Sequence, residues 1–146
     1  MLSRTPTTTT RWAAGLLCVL ALGACSSSSK GGASGTTPDP KKAATMLNKA
    51  LQEQVAGKTA QATTDFKQVI QLDPNNKYAY YNLGLISQTS GNKADAESEY
   101  RLALTIDKNY SPALYNLGIL RAQDNATDDA ISLYRRAIAA LSLIHI

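Results

Sequence analysis

Hydrophobic and polar positions divide the chain into unlike stretches. Residues Trp12 to Ala24 are uncharged and almost wholly apolar, whereas residues 26–42 are serine, glycine, proline and lysine with little to bury. From Ala43 onward apolar and polar residues alternate at helical spacing, and the pattern returns after 34 residues. Tyr81-Asn82-Leu83-Gly84 recurs as Tyr115-Asn116-Leu117-Gly118. The same shift maps Ala96 onto Ala130, Tyr100 onto Tyr134, Arg101 onto Arg135 and Ala103 onto Ala137. A backward step gives a fainter copy, with Asn48, Ala50, Gly57, Ala62 and Phe66 in the places of Asn82, Gly84, Gly91, Ala96 and Tyr100.

Each 34-residue unit reads as two helices. In the second unit the pattern predicts helices over Lys77–Thr89 and Lys93–Thr105, separated by Gly91-Asn92. Glycine suits a left-handed helix stop, and asparagine tolerates one, so Gly57, Gly91 and Asn125 are the expected turn points. Asp73-Pro74 closes the first unit, because proline cannot continue a helix. Gly84 and Gly118 fall inside helices at a local cost of about 1 kcal/mol each. Close contact with the second helix of each pair, at Ala96 and Ala130, is the expected compensation. Tyr100, Tyr134 and Phe66 are the expected packing residues between helices.

A 34-residue period with these signature positions resembles the tetratricopeptide repeat family. The resemblance implies an all-α fold, a right-handed superhelical solenoid of helix-turn-helix repeats, here 43–76, 77–110 and an incomplete 111–140. The first copy departs most: Ala50 stands for the first glycine and Lys49 for Leu83, so it reads partly as a cap. At the end of the second, Lys108 stands where Pro74 does. In the family a concave groove is lined from recurring places on the first helix of each repeat. Those places are Leu47, Asn48 and Leu51; Tyr81, Asn82 and Leu85; and Tyr115, Asn116 and Ile119. The asparagine ladder would hydrogen-bond an extended peptide backbone, and the tyrosine and leucine or isoleucine rows would supply apolar anchors. The other role open to Asn82 and Asn116 is to stabilise the array itself. Family members that clamp acidic chaperone C-termini use basic residues where Leu47, Tyr115 and Asn116 stand here, so the expected groove is neutral and aromatic.

The N-terminal stretch has the layout of a leader. Arg4 and Arg11 form a basic region before the apolar run, which is too short for the ~20 residues of a spanning helix. Leu22-Gly23-Ala24-Cys25 resembles the bacterial lipobox. The resemblance implies a signal peptide over 1–24 and a diacylglyceryl thioether on Cys25. Residues 25–42 then form a tether with a root-mean-square reach of about 20–25 Å, which predicts a lipid-anchored protein on the extracytoplasmic side of a bacterial membrane, the outer membrane included. At the other end, Leu141 to Ile146 is one translation of a transposon end used to prepare sequencing libraries. It is therefore expected to be artefactual, with the natural protein continuing differently after Ala140.

Composition narrows the chemistry. Residues 25–140 carry 13 Lys and Arg against 11 Asp and Glu, a net charge of +2 without a basic block. Nucleic-acid binding is therefore not expected. Cys25 is the only cysteine after the leader, so no intrachain disulfide forms, and His145 is the only histidine. Outside the tail this leaves no histidine-based triad, thiol nucleophile or common zinc site. The expectation is a non-enzymatic scaffold, without cofactor or metal, that binds a protein or extended peptide in the cell envelope. The alternative is the non-catalytic repeat domain of a larger envelope enzyme.

Overall fold

The computed structural model describes residues 37–142. The leader, Cys25, most of the tether and His145 lie outside that range. Six helices follow one another: α1 Pro40–Val55, α2 Thr59–Leu72, α3 Lys77–Thr89, α4 Lys93–Ile106, α5 Ser111–Gln123 and α6 Thr127–Ser142. There is no strand among the described residues. Each odd-numbered helix packs on the even one after it, and the resulting hairpins join through α2 against α3 and α4 against α5. The result is an all-α repeat solenoid.

Local chemistry sets the helix ends. Asn76 and Asn92 cap α3 and α4 with side-chain oxygens that accept from Ala79 N and Asp95 N, satisfying otherwise orphaned amides. Inside each hairpin the turn residue is left-handed: Gly57 at φ +75°, Gly91 at +78° and Asn125 at +60°. After each of them the next amide, of Lys58, Asn92 or Ala126, donates back to Glu53, Ser87 or Arg121 carbonyl oxygen. This is the helix-stop geometry that removes unpaired carbonyls.

Three expectations need correction. α1 starts at Pro40, inside the stretch read as tether, because Asp39 caps it by accepting from Lys42 N at 3.0 Å. The second helix of the middle repeat gains Ile106, and α6 runs on through Leu141 and Ser142. The space left by Gly84 is filled by Tyr100 rather than Ala96: a Cβ there would lie 2.5 Å from the ring. At Gly118 the ring of Tyr134 does the same, at 2.6 Å.

The buried side chains form two clusters that straddle repeat boundaries. One joins Phe66, Val69 and Leu72 to Ala79 and Leu83 of α3. The other joins Tyr100 and Ala103 to Ala113, Leu117 and Leu120 of α5. No hairpin buries its own apolar surface alone, which is why the unit of stability is the stack.

A tyrosine-lined groove on the odd-numbered helices

The groove begins at the junction of α3 and α5. Tyr81 is half-buried there, its ring 5.3 Å from that of Tyr110 in an edge-to-face arrangement and 5.9 Å from that of Tyr100. Tyr78 meets Tyr110 edge-on at 5.8 Å, and the Lys77 ammonium sits 5.0 Å from the Tyr110 ring centre. Lys77 also donates to Asp107, which holds that carboxyl below its ordinary pKa. Burial, with neighbouring Tyr81, Tyr78 and Asp107, pushes the Tyr110 phenol up to about 12. Burial also raises Tyr81, although the hydrogen bond from Asn116 pulls the other way.

Tyr81, Tyr115 and Asn116 line a hollow of about 790 Å³. Its remaining wall comes from Pro112 and from α6, through Tyr134, Ile138 and Leu141. No charged side chain lines it. Tyr115 is 56% exposed and Ile138 65%, so the floor is open to solvent. Ser111, at the first turn of α5, is spent structurally: its hydroxyl donates to the Ala137 carbonyl at 3.0 Å. A second hollow of about 540 Å³ adjoins at Asn116 and runs between α3 and α5 past Leu85, Gln88 and Gln123. The pair offers an apolar, aromatic end and an amide-bearing end, which is the chemistry an extended peptide needs for side-chain anchors and backbone hydrogen bonds.

The structure brings together Tyr81, Leu85, Tyr115 and Asn116 of the expected groove. Asn116 donates to the Tyr81 hydroxyl at 3.1 Å, which ties two repeats together. Asn82 does not face a ligand: it is buried, and its amide folds back onto the Tyr78 carbonyl at 2.7 Å, the i−4 bond open to a helical polar side chain. Asn48 is exposed on α1, while Leu47 and Leu51 pack against the first core cluster. Asn48 and Ile119 line neither hollow. Tyr134, expected to pack between helices like Tyr100, forms part of this α6 wall. Tyr134 is only half-buried, because no described helix packs over it as α5 packs over Tyr100. No cluster of three or more His, Cys, Asp or Glu side chains suited to a metal occurs among the described residues, and no helix there is long and apolar enough to cross a membrane.

Comparison with known proteins gives the class. Residues 56–91 match the family profile described as TPR repeat, and residues 78–110 the profile described as tetratricopeptide repeat. Residues 56–110 therefore carry tetratricopeptide-repeat sequence. No curated protein matches it. Among solved structures it is similar to the first TPR of Spaghetti (RPAP3) bound to HSP90 peptide SRMEEVD, at 24% identity and a TM-score of 0.66, over 73% of this chain and 84% of that one. MamA is similar at 18% identity and a TM-score of 0.65, over 76% of this chain and 62% of MamA. The Sgt2 TPR domain from Aspergillus fumigatus is similar at 21% identity and 0.63, over 73% and 70%. These likenesses establish the fold.

Proposed function

We propose that this chain is a non-catalytic scaffold, lipid-anchored through Cys25 on the extracytoplasmic side of a bacterial membrane, that holds a protein or extended peptide in the groove of α3 and α5. The observation carrying the binding role is the uncharged hollow in which Tyr81, Tyr115 and Asn116 meet an exposed apolar wall. Tyrosine supplies large contact area with a polar tip at low entropic cost, which makes it a frequent interface anchor. Two solved structures with this fold are described as bound to an HSP90 peptide, which supports peptide capture as the use of such a groove. The anchoring rests on Leu22-Gly23-Ala24-Cys25 and the polar tether behind it.

The test uses the full chain in a bacterial host. A photoreactive side chain at Tyr115 should crosslink a discrete envelope protein, and one at exposed Gln68 on α2 should not. Tyr81→Ala with Tyr115→Ala should weaken affinity for that protein about ten-fold or more, the scale of a lost aromatic anchor. Helical circular dichroism should stay unchanged. Identical crosslinking from both positions, or unchanged affinity in the folded double variant, would sink the groove assignment. Cys25→Ser should abolish lipid mass on the mature N-terminus and release the protein from membranes. Retention of that variant in the membrane fraction would remove the anchor.

A further inference from the structure

The even-numbered helices carry a second groove of different chemistry. It lies between α4 and α6 with α5 beneath, encloses about 580 Å³, and is floored by Leu104, Leu117 and Leu133. Four cations line it: Arg101, Lys108, Arg121 and Arg136. Asp129 is the only carboxylate in its lining. Glu97 accepts from both Arg101 and Arg121, and Asp124 also meets Arg121. Lys108 and Arg136 make no ion pair among the described residues; Arg136 donates to the Lys108 backbone carbonyl at 3.2 Å, which fixes the two side by side.

The repeat provides its own control. Thirty-four residues earlier, the corresponding positions between α2 and α4 are Lys67, Pro74, Ser87 and Leu102 in place of the four cations, and Glu99 in place of Leu133. Asp129 has Asp95 as its counterpart. That junction packs with one cation against two acids, so the solenoid does not need the basic residues of the later one. Its Glu99 even sits with a raised pKa, first through burial and then through Asp95. Only the later groove sets two unpaired cations, Lys108 and Arg136, beside a floor of three leucines.

We propose that the α4–α6 groove binds an acidic peptide segment, with apolar side chains on Leu104, Leu117 and Leu133 and a carboxylate between Lys108 and Arg136. Opposite charges across such a contact set register and speed encounter more than they add raw affinity. Arginine offers the planar fork that matches a carboxylate. A nucleic acid fits less well: two unpaired cations neutralise little backbone, and the lining holds no aromatic ring for base stacking. A flat lipid surface would not reach the leucine floor of a concave groove.

The probe is a fluorescent peptide of alternating leucine and glutamate, with a leucine–glutamine peptide as control, read by anisotropy against the full chain. The acidic peptide should bind, and the control should bind at least about ten-fold more weakly. Lys108→Ala with Arg136→Ala should cost roughly ten-fold, the scale of losing close charge partners. Lys67→Ala, at the earlier junction, should cost nothing measurable. Raising ionic strength from about 0.05 M to about 0.5 M should weaken binding by screening. Tyr81→Ala with Tyr115→Ala should leave it intact, which separates this site from the groove on the other face. No detectable binding, equal binding of the two peptides, loss in the tyrosine variant, or tighter binding of a thymidine oligonucleotide or anionic vesicles lost in the same Lys108 and Arg136 variant would each overturn the proposal.

Discussion

The first and third repeats share a backbone plan but meet different neighbours, and their equivalent residues diverge accordingly. Leu83 and Leu117 are buried because the preceding repeat covers them, each in a cluster shared with that repeat. Lys49 holds the same place on α1, where no described helix precedes it. It is paired instead with Asp65 at 2.7 Å and Glu53 at 3.5 Å. At the opposite end the trend reverses. Tyr100 is fully buried beneath α5, while its counterpart Tyr134 is half-buried and Ile138 and Leu141 stand exposed. A repeat position therefore has no fixed character; the neighbour decides whether it is core, ion pair or exposed apolar wall. The tyrosine-lined hollow lies at this same end, walled in part by Tyr134 and Ile138.

The largest expected difference comes from the glycines. Gly84→Ala pushes a methyl into the Tyr100 ring, which is fully enclosed and hydrogen-bonded through its hydroxyl to Gln88 at 2.6 Å. Overpacking of this kind costs about 1–3 kcal/mol, less the ~1 kcal/mol that alanine gains in a helix. At Gly118 the obstructing ring belongs to half-buried Tyr134, which can yield toward solvent. Gly118→Ala should therefore be near neutral in urea or thermal melts while Gly84→Ala is clearly destabilising. Equal losses would mean that the two ends are packed alike.

A smaller separation should appear at high pH. All seven tyrosines lie between Tyr78 and Tyr134, none in the first repeat. A phenol whose folded pKa is raised favours folding fully below its unfolded value and loses that contribution as pH rises through the folded one. For Tyr110 this window runs from 10.0 to about 12, and the upward shifts of Tyr80, Tyr81 and Tyr100 act in the same direction. Helical signal should thus fall across that window while tyrosinate absorbance rises. Tyr110→Phe should move the midpoint upward. An unmoved midpoint would place the alkaline weakness elsewhere than at the second junction.

The smallest effect concerns the charged end. Lys49→Leu with Asp65→Leu gives the first repeat the residues of the third, Leu117 and Leu133. Removing both partners of an ion pair is often close to neutral for stability, so the melting temperature should barely move. Sedimentation should instead show concentration-dependent association through the new apolar face. A clean monomer would show that the ion pair does not keep that end soluble.

Much of the fold is legible in the sequence because its punctuation is local. Gly57, Gly91 and Asn125 announce left-handed turns that need no tertiary context, and Lys77–Thr89 is bounded as expected. The start of α1 was obscured because Asp39-Pro40, a cap followed by a permitted first-turn proline, sits in a run of linker residues. The groove was only half legible. Periodicity identifies which residues share a helix face, so Tyr81, Tyr115 and Asn116 could be grouped. It does not show that Asn82 turns inward to its own backbone.

The glycine–tyrosine fit also determines how such an array can be recombined. In the first hairpin Ala50 on α1 and Phe66 on α2 are both fully buried in one cluster; the later hairpins pair Gly84 with Tyr100 and Gly118 with Tyr134. Helix-level shuffling that set α1 against α4 would bring Ala50 to the ring that Gly84 clears. The reverse exchange would leave Phe66 facing a missing methyl. The transferable segment is accordingly the whole hairpin, and sequence drift at these two sites must proceed as paired steps.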